Sequence, residues 1–193
     1  MYAADSHSLK SIGVFCGSSA GSDPAYTRAA WEMGGLLAQR DITLVYGGAQ
    51  IGLMGSVADA ALAAGGKVIG VIPRLLMDKE LGHHGLTELQ VVETMAERKD
   101  RMMALSDAFI ALPGSIGTLD ELFEVWTATQ LGLQAKPCGL LNTQGYFDHL
   151  LAFLDRAVTD GFMRAPHRAL LRLDDKPEAL LAALSPAPSL GPA

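Results

Sequence analysis

Residues 43–72 read TLVYGGAQIGLMGSVADAALAAGGKVIGVI, and the fold class follows from that stretch. Thr43–Tyr46 is a short β-branched and aromatic run that reads as a strand. A glycine-rich turn follows, and Gly52–Ala64 carries the small and aliphatic residues of a packed helix. Gly65-Gly66 ends that helix, and Lys67–Ile72 is a second apolar run. Strand, glycine-rich loop, helix and strand in this order make a βαβ unit, with parallel strands and the helix as crossover. Neither strand alternates polar with apolar residues, so both faces of the sheet are expected to be covered.

The same alternation continues on either side. Upstream, Ile12–Cys16 reads as the first strand, and Asp23 caps a helix that has Pro24 at its first position and runs to about Arg40. Downstream, residues 73–87 look irregular and Leu89–Val92 is a fourth strand. Glu93–Ser106 is helical, Ala108–Leu112 a strand and Leu119–Leu131 helical. Cys138–Leu141 gives a strand, Tyr146–Asp160 a helix, Leu170–Leu173 a weaker strand and Pro177–Leu184 a short helix. The expectation is a doubly wound α/β fold with a parallel sheet and helices on both faces, one domain spanning residues 1–184. The Pro- and Ala-rich tail from Ser185 is expected to be disordered.

Composition fits a protein able to bury a sizeable core: 193 residues, 49% hydrophobic and 19% charged. No stretch has the length of a membrane helix, and Met1 to Lys10 lacks a basic-then-apolar signal pattern, so cytoplasmic residence is expected. A net charge of −6 argues against broad nucleic-acid binding while leaving room for one phosphate held by local donors. Cys16 and Cys138 lie in apolar runs and read as small buried hydrophobes.

Ligands in such a fold bind beyond the carboxyl ends of the strands. Three of those ends carry small, glycine-rich loops: Gly17-Ser18-Ser19-Ala20-Gly21, then Gly47 to Gly55, then Pro113 to Thr118. Glycines let backbone N–H groups approach an anion, a helix N-terminus favours it, and the hydroxyls of Ser18 and Thr118 add donors. A dinucleotide fingerprint is absent, because Gly17-Ser18-Ser19 breaks the G-x-G-x-x-G spacing and Tyr46-Gly47-Gly48 stands where an acidic residue would hold ribose. There is no phosphate-binding G-x-x-x-x-G-K-[ST]. His83 and His84 lack metal-ligand spacing and read as loop residues. Neither a metal nor a cofactor is expected.

Charged residues flank the third loop. Glu97-Arg98-Lys99 opens the helix before the fifth strand, and Asp120-Glu121 is expected in the first turn of the helix after it, where the helix dipole alone could explain a carboxylate. Pro113-Gly-Ser-Ile-Gly-Thr-Leu-Asp-Glu121 resembles the P-G-G-x-G-T-x-x-E motif of the Lonely Guy (LOG) family. Met95-Ala-Glu-Arg-Lys-Asp-Arg-Met102 is similar to its R-K-x-x-M companion. The resemblance continues through Phe15-Cys-Gly-Ser-Ser19, Val45-Tyr-Gly-Gly48, Gly52-Leu-Met-Gly55 and Gly70-Val-Ile-Pro73, nearly the whole chain in the same order.

The resemblance implies a Rossmann-like fold, commonly dimeric, that cleaves cytokinin riboside 5′-monophosphates or AMP to free base and ribose 5-phosphate. Glu121 and Arg98 take the catalytic positions. Lys99, Thr127 and Glu80 match substrate-contact positions. Gly114, Ser115, Ile116, Gly117 and Thr118 are expected to hold the 5′-phosphate, with Gly17 and Ser18 nearby and Gly47, Gly48 and Gly55 shaping the opposite wall. Many relatives carry the label lysine decarboxylase, yet no pyridoxal phosphate site is identifiable here. One position departs from the family: Ser115 stands where the motif has its second glycine. If the backbone there has a positive φ, serine is strained; if not, its hydroxyl can itself meet a phosphate, and the second outcome is expected. The rival reading is a non-catalytic module binding a nucleotide or pterin-like cofactor on the same fold, which would need no carboxylate aimed at the sugar.

Overall fold

A computed structural model describes residues 9–77 and 82–184. Among the described residues, seven strands form one sheet: β1 Ser11–Phe15, β2 Thr43–Tyr46, β3 Val68–Pro73, β4 Glu88–Val92, β5 Ala108–Ala111, β6 Cys138–Leu141 and β7 Leu171–Asp174. They lie side by side in the order β4-β3-β2-β1-β5-β6-β7, and every pairing is parallel. The order reverses between β1 and β5, the switch point at which a doubly wound sheet opens a crevice.

The helices are α1 Pro24–Gln39, α2 Gly52–Ala63, α3 Arg74–Met77, α4 Met95–Leu105, α5 Ile116–Gln130, α6 Asp148–Thr159, α7 Ala165–Arg168 and α8 Pro177–Leu184. Residues of α1, α2 and α8 pack on one face of the sheet around Ile12, Leu44, Tyr46 and Ile110. Residues of α4, α5 and α6 pack on the other around Val45, Phe109 and Leu140. The expected two-sided burial is therefore present: β5 and β6 are buried along their whole length. Among the described residues, no helix is long and apolar enough to cross a membrane.

Local chemistry sets the helix ends. Asp23 caps α1 by accepting the Ala25 N–H at 2.8 Å, as its place before Pro24 implies. Thr94 and Glu97 form a capping box at the start of α4, so Glu97 is a cap and Arg98 and Lys99 follow it inside the helix.

Three expectations need correction. The helix after β5 begins at Ile116 rather than Leu119, because Ser115 takes an extended N-cap backbone and the small residues of the loop already wind the first turn. Asp120 and Glu121 consequently sit in the second turn, where the helix dipole has largely decayed. The stretch read as irregular contains α3, and an isolated antiparallel bridge joins Ala49 to Gly82. A four-residue helix has too little periodicity to be read from sequence. The expectations for Glu80 and for the tail from Ser185 lie outside the described residues.

Candidate active site

The first and third glycine-rich loops flank the switch point and line a cleft of about 160 Å3. Gly17, Ser18, Ser19, Ala20 and Gly21 form one wall, and Pro113, Gly114 and Ser115 the other; Leu53, Tyr26 and Tyr146 close the apolar side. The two loops are joined directly, since the Gly17 N–H donates to the Pro113 carbonyl at 3.0 Å. Gly114 is dictated by close approach: a Cβ there would collide with the hydroxyl of buried Thr118 and crowd the Gly17 amide. Ser115 has φ −105 and ψ −150, an extended backbone open to any residue, and its side chain caps no helical N–H. Serine is thus unstrained where the family motif has glycine, and its exposed side chain borders the cleft. The first N–H groups of α5, on Ile116, Gly117 and Thr118, have no carbonyl one turn back within the helix. Ile116 turns its own side chain outward, 85% exposed.

Arg98 of α4 and Glu121 of α5 meet at the same sheet edge, Nη1 to Oε1 at 3.0 Å, each side chain only 9% exposed. The oxygen makes no aligned hydrogen bond, so the contact is an ion pair. Arg98 is fixed by its Nε–H, which donates to the Val71 carbonyl at 3.1 Å. Its guanidinium lies against Gly47, where any Cβ would collide with Nη2 and press on Met54 Sδ. That clash gives Gly47 a reason beyond turn-making. Burial raises the Glu121 carboxyl pKa, while the Arg98 charge opposes the rise. Cys16, at the end of β1, feels the same surroundings: burial, then the Glu121 charge, push its thiol far up, and Arg98 offsets part of this. It stays a thiol, which fits the inert role read from the sequence.

The remaining candidates fall in different places. Lys99 Nζ is held by Glu124 at 2.7 Å and Asp120 at 3.0 Å, and these hydrogen bonds raise its pKa. Thr127 lies on α5 beyond Glu121 and is exposed. Gly48, with φ +76, passes beneath Ile72 and Leu89, and Gly55 packs on the Gln50 carbonyl; neither lines the cleft. His83 accepts the Gly85 N–H at Nδ1 and lies 2.9 Å from Asp59 through Nε2, so it is a loop anchor. Tyr26 and Tyr146 were not singled out from the sequence. The only hint was that Tyr146 follows Gly145 just past a strand end, a position shared with the recognised loops.

A glycine-lined crevice at the switch point, the N-terminus of α5 beside it, and a buried carboxylate–guanidinium pair outside the crevice lining all lie at the carboxyl end of a doubly wound α/β sheet. The chain belongs to the family described as "possible lysine decarboxylase", whose model matches residues 54–184, and within it to the LOG group. It is 51% identical to cytokinin riboside 5′-monophosphate phosphoribohydrolase LOG1 of Arabidopsis thaliana, over 84% of this chain and 76% of that one. The cytokinin riboside 5′-monophosphate phosphoribohydrolase of Rhodococcoides fascians is 47% identical over 91% of this chain and 89% of its own. Among solved structures, the molybdenum cofactor binding protein of Rippkaea orientalis superimposes with a TM-score of 0.70 at 22% identity, covering 92% of this chain and 96% of that one. That likeness concerns the fold.

Proposed function

We propose that this protein hydrolyses the N-glycosidic bond of nucleoside 5′-monophosphates, cytokinin riboside 5′-monophosphate and AMP, releasing free base and ribose 5-phosphate. The observation that carries this reading is the buried Arg98–Glu121 pair, placed at the sheet's carboxyl edge beside the loop that opens α5. The relatives named above support it at high identity across most of the chain.

Cleaving the bond builds positive charge on the ribose ring. A carboxylate beside C1′ stabilises that charge or activates the attacking water, and Glu121 is suited to either, with an oxygen free of aligned donors. A guanidinium stays charged at all working pH values, so Arg98 holds Glu121 and orients hydroxyl or anionic groups rather than moving protons. The Gly114–Thr118 loop takes the 5′-phosphate on its amides and hydroxyls. Lys99, Thr127 and Glu80 are assigned to the rest of the substrate. Decarboxylation through a lysine Schiff base suits these residues poorly, because Lys99 is kept charged by two carboxylates. A pure binder would not require a buried carboxylate held in place by an arginine.

Two further parts complete the reading. Two copies associate through the α4–α5 side, where Met95, Ile116, Leu131 and Leu133 are exposed. Two buried unpaired thiols, Cys16 and Cys138, suit a reducing compartment such as the cytoplasm.

The test is substitution of the pair. Glu121→Gln and Arg98→Ala should each lower AMP turnover by two orders of magnitude or more while circular dichroism shows a folded protein. Near-parental turnover in either folded variant would remove that residue from the chemistry.

A further inference from the structure

Tyr146 stands 32 residues after Gly114 in the chain, yet its phenolic O–H donates to the Gly114 carbonyl at 2.8 Å. The phenol is brought there by a sharp turn at the end of β6. Gln144 and Gly145 both take left-handed backbones, φ 56 and φ 68, which reverse the chain within a few residues. Asn142 staples the turn: its Oδ1 accepts the Phe147 N–H at 2.7 Å and its Nδ2 donates to Asp148 at 2.7 Å. The ring is held edge-on by Tyr26 of α1, with centroids 5.6 Å apart, and by Phe147, 4.9 Å away. A side chain that remains 43% exposed is therefore fixed on three sides, with its one polar atom on the loop.

The consequence lies in the next peptide group. Every peptide bond among the described residues is trans, so the Ser115 N–H points opposite to the Gly114 carbonyl. Holding the carbonyl toward Tyr146 turns the Ser115 amide away from Tyr146 and stops this peptide plane from flipping. No other side chain hydrogen-bonds the Gly114 carbonyl among the described residues. A flip would aim a carbonyl where an anion needs a donor.

We propose that Tyr146 is a positioning residue: its hydroxyl locks the Gly114–Ser115 peptide so that the Ser115 N–H is presented to the 5′-phosphate. The assignment rests on the phosphate-binding reading of this loop given above. It makes the loop after β6 a fourth contributor to the site, acting through the third.

The experiment is Tyr146→Phe, which removes one oxygen and keeps the ring contacts. Calorimetry with ribose 5-phosphate and with adenosine is run on both proteins, together with AMP kinetics. The expected result is ribose 5-phosphate affinity weaker by roughly five- to tenfold, the equivalent of one hydrogen bond. The KM for AMP should rise by a similar factor at nearly constant kcat, adenosine affinity should not change, and the ligand-free Tm should fall by only about 2–4 °C, the effect of one lost hydrogen bond. Unaltered ribose 5-phosphate affinity overturns the assignment, as does a fall in kcat at constant KM or an equal loss for adenosine. If the parental protein itself binds neither ribose 5-phosphate nor AMP, the reading of the loop falls together with this one.

Discussion

At the scale of single residues, the Arg98–Glu121 pair joins chemistry to stability, and the two respond to pH in opposite senses. Burial holds the folded-state pKa of Glu121 above its ordinary value, so the folded protein binds a proton that the unfolded chain has already released. The carboxyl's contribution to stability is then fully present below the ordinary glutamate range and is lost as pH rises through the folded pKa. Catalysis that needs the carboxylate moves the other way, failing as pH falls through the same value. The acid limb of kcat/KM should accordingly lie above the ordinary carboxylate range, and a limb at or below that range would contradict the assignment. Arg98→Ala removes the larger of the two charges that lower this pKa, leaving only that of Lys99, and strands a buried carboxylate without its ion-pair partner. Its cost, about 3–5 kcal/mol for a stranded buried charge, should be largest at neutral and higher pH. Chemical denaturation should show that cost shrinking toward acid as Glu121 takes up a proton; a pH-independent cost would mean that the carboxylate is not stranded.

At the scale of elements, the positions of all seven strands were legible, because apolar runs bounded by glycine and capping residues leave little choice. The start of α5 was not. Ser115, Gly117 and Thr118 favour turns by composition, yet Ser115 is the extended N-cap and Gly117 and Thr118 already lie in the first helical turn, where buried Thr118 packs against Gly114. Three loops of the site could be read locally, and so could Glu121 and Arg98 through their motifs. The contact of Arg98 with Gly47 and that of Tyr146 with Gly114 join residues far apart in sequence, where no local pattern records them. The α5 start also decides what Ser115 does. Its extended backbone means Ser115→Gly relieves no strain and should cost about 0.5–1 kcal/mol through a more flexible unfolded chain. Ser115→Ala should leave stability near parental and weaken AMP binding up to about tenfold, the effect of one lost donor. Denaturant midpoints and calorimetry measure both; a stabilised Ser115→Gly would show that the backbone carries strain after all.

At the scale of the whole molecule, the proposed association rests on a few exposed apolar side chains. Met102, Val125 and Trp126 are consumed by the core and add nothing to a second face of α4 and α5. What remains outside is Ile116 at the start of α5 and Leu131 and Leu133 just past its end. Light scattering at micromolar concentration should give twice the 20.4 kDa chain mass, and Leu131→Lys with Leu133→Lys should shift it toward the monomer. A monomeric parental protein would remove the interface from the account. The central claim is that a phosphate anchored at the mouth of α5 presents ribose to Glu121, so the decisive measurement is release of base from AMP and from adenosine under identical conditions. Anchoring by the remote phosphate predicts kcat/KM for AMP at least a hundredfold above adenosine, with ribose 5-phosphate as the product. Equal rates for the two substrates, or no release from either, would contradict it.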